Sequence, residues 1–166
     1  MELIDVVDKN GNSAGYIKER HSHLKDNEFA LVVHVWIKNS EGKYLVQQRA
    51  STKLVDPLLW SITSGFVASD ENSLETVNRE LEEELSITVN LDEVSYMTRL
   101  FPKDDHKHVV DIYLIEKDIT PDDVMLQAEE VNAIGYWTKE KILQKVDEHI
   151  FFDFNTMYDN YFDYII

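Results

Sequence analysis

Residues 79–84 read Arg-Glu-Leu-Glu-Glu-Glu, a crowding of carboxylates that a solvated surface does not require. On a helix turning by about 100° per residue, with Glu80 as the origin, Glu84 falls at about 40° and Glu83 at about 300°, so these side chains share one face. Glu75 and Glu82 point the other way, to solvent. Leu74, Val77, Leu81 and Leu85 recur at helical spacing and form an adjoining apolar stripe that would seat the helix on a sheet. Like charges one turn apart destabilise a helix, and its negative C-terminal end makes the crowding worse. A divalent cation would supply the compensation. Mg²⁺ is a hard ion that takes carboxylate oxygens and keeps its remaining positions for water and substrate phosphates. A bare Glu-rich helix is more often just an acidic, hydrated face. Two features favour the metal: Arg79 lies one turn before Glu83, where it can pair with and orient that carboxylate, and Gly65 and Glu71 precede the helix at defined distances.

The whole string is Gly65, five residues, Glu71, seven residues, then Arg79-Glu80-Leu81-Glu82-Glu83-Glu84-Leu85-Ser86-Ile87. It resembles the Nudix box, and residues 65–87 depart from that pattern only at Ser86, where the family has a glycine. That glycine ends the helix in a left-handed conformation, so serine there is expected to strain or reshape the cap. The resemblance implies an α/β fold, a Nudix-type α/β/α sandwich with a mixed sheet, and hydrolysis of a diphosphate linkage. It implies Mg²⁺, with Mn²⁺ able to substitute, held by Glu80, Glu83 and Glu84, with Glu71 and the Gly65 carbonyl as further candidates. Glu83 is the first choice to orient or deprotonate the attacking water and Glu130 the second; Arg79 is an orienting partner.

Residues Leu45 to Lys53, then Pro57 and Trp60, are similar to the Nudix branch that contains isopentenyl-diphosphate isomerase and related hydrolases. That likeness implies a diphosphate cradle at Arg49 and Lys53. Arg is a bidentate phosphate fork and Lys a point charge; the alternative for each in so acidic a chain is a surface salt bridge, and the diphosphate role is the favoured one. The segment Leu126–Val131, Tyr136-Trp137 and a helix beginning at Lys139 also fit the branch. The isomerase relies on a cysteine before the box glycine and a histidine after it. Here those positions are Ser64 and Phe66, Ala30 stands at another of its metal-binding histidines, and the chain has no cysteine. These departures favour a hydrolase over an isomerase. A non-catalytic binding module ranks last, because such modules usually lose box glutamates.

The elements that must hold these residues are legible from patterning. Leu3–Glu19 reads as a hairpin turning at Asn10-Gly11-Asn12. Phe29–Lys38 is rich in β-branched and aromatic residues, and Tyr44–Gln48 is expected to return antiparallel to it. Ala50–Ser64, broken by Pro57, reads as irregular. A helix is expected over 73–85, capped by Asn72 or Ser73. Strands follow at Val94–Phe101, Val109–Glu116 and Ile134–Thr138, then a helix from Lys139 to Glu148. The C-terminal aromatics, from Phe151 onward at near-helical spacing, read as core packing, with a homodimer face left open. The pairs His21/His23 and His106/His108 read as exposed polar loops, since no third metal ligand matches them.

With 166 residues the chain has enough length for one domain, expected to span 1–166. A net charge of −16 repels nucleic-acid polymers and anionic membranes, so the expected partner is a small diphosphate whose charge a cation offsets. No apolar run reaches the roughly 20 residues of a membrane span, and Met1–Asp5 lacks the basic and apolar regions with which a signal peptide is expected to begin. A cytoplasmic location is expected.

Overall fold

The stripe at Leu74, Val77, Leu81 and Leu85 becomes a helix whose apolar side is driven against a sheet, and the rest of the architecture follows from that packing. The computed structural model describes residues 1–165. The strands are β1 (Leu3–Val7), β2 (Ser13–Glu19), β3 (Ala30–Lys38), β4 (Tyr44–Arg49), β5 (Trp60–Ser61), β6 (Thr63–Phe66), β7 (Val94–Leu100), β8 (His108–Glu116) and β9 (Val131–Trp137). The α-helices are α1 (Ser73–Leu85) and α2 (Lys139–Asp147). The main sheet runs β5-β4-β3-β8-β7, with β6 beside β3 and β9 beside β4. It is mixed: β3 and β8 are parallel from Ala30↔His108 to Lys38↔Glu116, and the other pairings are antiparallel. The β1–β2 hairpin forms its own small sheet, docked through the bridges Ile4↔Ala68 and Val7↔Phe29.

Two cores lie on opposite faces of the sheet. One gathers Val33, Val35, Ile37 and Leu45 beneath Val77, Leu81 and Leu85 of α1. The other gathers Val32, Trp36, Tyr44 and Val46 beneath Ile142 and Val146 of α2 and the C-terminal aromatics. This is an α/β/α layering, as expected. Alternation along β3 dictates it, since neighbouring residues of a strand face opposite ways.

Several expectations are corrected. Tyr44–Gln48 is antiparallel to β3 as expected, but the two pair only at Lys38↔Tyr44, because β6 takes that edge of β3 from Val32 to Val35 and β4 pairs otherwise with β5 and β9. The supposedly irregular stretch 50–64 therefore contains β5 and the start of β6, strands too short to show a period. The C-terminal aromatics are core, with Phe151, Phe154, Tyr158, Tyr161 and Phe162 buried, but they are not helical. Phe154, Tyr161 and Phe162 sit on two short 3₁₀ turns, Phe154–Thr156 and Tyr161–Tyr164, Phe151 bridges to Trp60, and Tyr158 lies in the bend between the turns. Asp153 caps the first through its side chain, and Asn160 breaks the chain by entering the left-handed region at φ 55°. His108 is not in an exposed loop either; it opens β8, half-buried with its ring 5.0 Å from Phe66. His21 and His23 are exposed.

The box helix starts at Asn72, whose side chain accepts from the Glu75 amide at 3.0 Å while Glu75 answers to the Asn72 amide at 2.8 Å, a capping box. It ends at Ser86, which keeps the glycine's left-handed backbone at φ 57°, ψ 36°. The Ser86 and Ile87 amides donate to the Glu82 and Leu81 carbonyls at 3.0 and 3.4 Å, so the serine is strained into the cap and does not reshape it. Its hydroxyl recovers one contact, accepting from Gln127 Nε2 at 3.2 Å. A left-handed non-glycine residue costs about 1–2 kcal/mol. We therefore expect Ser86→Gly to stabilise the protein by about 1 kcal/mol, read as a higher urea midpoint at unchanged slope. A lower midpoint would mean that the Gln127 contact outweighs the strain.

Candidate active site

Helix α1 presents its carboxylates in two different settings. Glu80 and Glu84 are 7% and 8% exposed, whereas the side chain of Glu83 is 55% exposed. Arg79 organises the first setting. Its Nε donates to Glu71 Oε1 at 2.6 Å, its Nη1 to Glu80 Oε1 at 2.9 Å and to Glu83 Oε2 at 3.3 Å, and its Nη2 to the Phe66 carbonyl at 2.8 Å. Glu2 stands 3.9 Å from the same guanidinium. The planar fork of arginine suits this role, and lysine could not reproduce it. Burial alone would depress the Arg79 pKa, but Glu80, Glu71 and Glu83 more than offset that and hold it above the usual value. Arg79 thus ties together the box loop and three carboxylates, not Glu83 alone. Thr76 completes the arrangement by donating to Glu71 Oε2 at 2.8 Å.

Gly65 lies in β6 opposite Val33, on the face that meets α1. A Cβ there would lie 1.8 Å from Glu80 Oε1 and 2.6 Å from its Cγ. The glycine is required by this close approach of strand to carboxylate.

Glu84 sits apart. Gln47 of β4 donates to it from Nε2 at 2.8 Å, and Gln47 Oε1 accepts from Thr63 Oγ1 at 3.2 Å. No cation pairs with it among the described residues. Burial, with the Glu80 charge adding, pushes its pKa up to about 8; burial, with Glu83 adding and Arg79 opposing, pushes Glu80 up to about 7. Sequence reasoning missed Gln47, Thr63 and Thr76. They are reached across strands or around a loop, and no spacing rule points to them.

Arg49 stands at the end of β4 and Lys53 in the loop after it. Lys53 Nζ is ion-paired to Glu130 Oε2, while Arg49 Nε donates to the Val55 carbonyl at 3.1 Å. The Glu130 charge reaches Glu84 and adds to its raised pKa.

Among the described residues, no three His, Cys, Asp or Glu side chains are grouped so as to hold a metal ion between them. The donor chemistry nevertheless fits Mg²⁺. Two buried carboxylates lie on one helix face, one of them without a cation, which is costly unless a charge offsets it. Mg²⁺ is held by one or two carboxylates and keeps several waters, so it needs no full protein cage.

Residues 28–157 match the model of the NUDIX domain. The chain belongs to the Nudix family. An uncharacterised Nudix hydrolase of Listeria innocua is 33% identical over 143 residues, covering 86% of this chain and 83% of the relative. An isopentenyl-diphosphate Delta-isomerase of Photorhabdus laumondii is 33% identical over 110 residues, covering 66% of this chain and 62% of the relative. A crystal structure from Deinococcus radiodurans superposes with a TM-score of 0.73 at 20% identity, covering 93% and 95% of the two chains. The Nudix relatives and the intact glutamates make this chain a Nudix pyrophosphohydrolase.

The isomerase's cysteine position carries Ser64, which is registered against His34 in β3 and so shares its face. The His34 ring there lies 4.6 Å from Phe154 and 5.5 Å from Tyr161, and its Nδ1 meets the Tyr161 hydroxyl at 2.7 Å. That face is filled by side chains from the C-terminus.

The carboxylates set a pH dependence in the metal-free protein. Their folded pKa values lie above the usual 4.5, so their contribution is greatest below pH 4.5 and is lost as pH rises through about 7 and 8. His34 runs oppositely: burial pulls its pKa down to about 3 from 6.5, so stability falls as pH drops through that window. His34, and His108 whose pKa burial also lowers, fade out over about one unit above 6.5, and beyond that the glutamates dominate. Chelated protein is expected to lose up to about 1.4 kcal/mol per pH unit for each carboxylate between pH 6.5 and 8, with millimolar Mg²⁺ removing most of the loss. Thermal melts with and without chelator check this; a flat or rising profile in chelator would contradict it.

Proposed function

We propose that the chain is a Mg²⁺-dependent hydrolase of nucleoside diphosphate derivatives or similar X-linked diphosphates. The observation that carries this reading is Glu84, a buried carboxylate beside Glu80 with an amide for a partner and no cation. Glu80 and Glu84 would hold the ion together with Glu83, with the Gly65 carbonyl and Glu71 nearby; Mn²⁺ would substitute. When bound, the ion polarises the phosphoryl oxygens and offsets the charge on the leaving phosphate.

The protein's own groups do the rest. Arg49 and Lys53 bind the diphosphate, and Arg79 fixes Glu71, Glu80 and Glu83 so that they need not reorganise during reaction. Glu83, the exposed carboxylate, orients the attacking water in line with the scissile bond and accepts its proton. Glu130 is second choice for that role, since in the free protein Lys53 already engages it. The products are two phosphate-bearing fragments. The absence of cysteine is in keeping with work in the cytoplasm.

Product analysis tests this. Purified protein with Mg²⁺ is incubated with nucleoside di- and triphosphates, nucleotide sugars, dinucleoside polyphosphates, coenzyme A and isopentenyl diphosphate. Cleavage of a diphosphate linkage, abolished by chelator, is the expected result. Conversion of isopentenyl diphosphate to its isomer without any cleavage would overturn it.

A further inference from the structure

The Lys53–Glu130 pair couples two things the proposed reaction needs to keep separate. Lys53 is a proposed phosphate cation, yet in the free protein its ammonium already carries a carboxylate. The pairing is built into the backbone. The Glu130 carbonyl accepts from the Ala50 amide at 3.0 Å, and the Lys53 amide donates to the Ala50 carbonyl at 3.2 Å, so Ala50 bonds both partners' segments. The segment carrying Glu130 is in turn bonded to the end of α1. The Met125 amide donates to the Leu85 carbonyl at 3.0 Å, and the Gln127 amide to the Glu84 carbonyl at 3.3 Å. The Glu130 amide donates to the Gln127 carbonyl at 2.9 Å. Residues 125–130 are thus a strap from the carboxylate helix to the phosphate loop, and Glu130 is its carboxylate at Lys53.

Side-chain exposures of 25% for Lys53 and 42% for Glu130 leave the pair open to solvent and ions. Such exposed pairs are weak and readily exchanged. A phosphate must displace Glu130 to reach Lys53. That cost is the same for every phosphate that takes Lys53, so substrate and product are both weakened, and the product, with less charge to attract the ammonium, is held least.

We infer that Glu130 is an internal competitor for Lys53: it holds the cation in the free protein, lowers the affinity of every phosphate that must take Lys53, and so hastens release of the fragment that cleavage leaves there. The inference rests on the reading of Lys53 as a phosphate cation. Before reaction the diphosphate takes Lys53 and frees Glu130. After cleavage the less charged fragment loses Lys53 back to Glu130, which promotes its release. No covalent step is involved.

Calorimetry in magnesium buffer tests it with methylenediphosphonate, a diphosphate that cannot be hydrolysed, and inorganic phosphate as probes. Wild type, Glu130→Gln, Lys53→Met and the double variant are compared as full chains, each first shown to melt as wild type does. Glu130→Gln is expected to bind both probes more tightly, by roughly 3–10-fold for the removal of one competing charge, with the diphosphonate gaining at least as much as phosphate. In the Lys53→Met background the same change should have little effect on either probe. Equal or weaker binding of both probes by Glu130→Gln, or the same gain with Lys53 absent, would overturn the inference. Lys53→Met binding the diphosphonate as wild type does would remove the phosphate role of Lys53 itself, a failure of the underlying reading and not of the competition alone.

Discussion

Glu83→Gln is expected to lower turnover by about 10²–10⁴-fold, the range for loss of a positioned general base, while the protein melts within a degree or so of wild type. The fold should tolerate the change because the Glu83 side chain is 55% exposed and makes one contact with Arg79, at 3.3 Å. Glutamine keeps the size and one hydrogen-bonding oxygen but cannot take a proton at neutral pH. Steady-state kinetics and a thermal melt together check both halves. Turnover equal to wild type would remove Glu83 from the chemistry and pass the role to Glu130, whose carboxylate a bound diphosphate would release from Lys53.

The second large effect comes from a residue with no side chain. Gly65→Ala places a methyl 1.8 Å from Glu80 Oε1 and 2.6 Å from its Cγ. Glu80 cannot swing aside freely, since Arg79 holds it and is itself anchored on the Phe66 carbonyl and Glu71. The strand or the helix must shift. Overpacking of this kind costs about 1–3 kcal/mol. Displacing by about 1 Å a carboxylate proposed to hold the metal is expected to cost on the order of 100-fold in turnover. Pairing it with Glu80→Ala separates the effects: truncating Glu80 should restore much of the stability, because the clash is gone, and none of the activity. Urea unfolding and turnover of the four proteins form the cycle. Full additivity of the two stability changes would mean that the glycine is needed for some reason other than Glu80.

The box helix was legible because every local signal agreed. Its apolar spacing and its end at residue 85 survive in the structure, and of the two candidate caps, Asn72 and Ser73, Asn72 is the one used. The sharing of one face by Glu80, Glu83 and Glu84 follows from helical geometry alone. What that geometry could not supply was burial: Glu83 is open to solvent while Glu80 and Glu84 are covered by β6 and β4, strands distant in sequence. The Arg79–Glu83 spacing pointed to one partner where the folded loop delivers three. Gln47 and Thr63 were out of reach, since their roles depend on β4 and β6 both facing α1. The splitting of β3 and β4 was hidden in the same way, because the short strands of residues 60–66 show no period. Helical spacing of the C-terminal aromatics marked burial correctly and secondary structure wrongly; Asp153 and Asn160, both turn-forming types, were the signals against a continuous helix.

The most direct test follows the oxygen. Turnover of the diphosphate identified by product analysis is run in ¹⁸O-labelled water with Mg²⁺, and the products are weighed by mass spectrometry. Attack of water on phosphorus gives one labelled oxygen per turnover, in a phosphate-bearing product, and no reaction in chelator. Products without label on any phosphate, or full turnover in chelator, would contradict a metal-dependent hydrolysis at phosphorus.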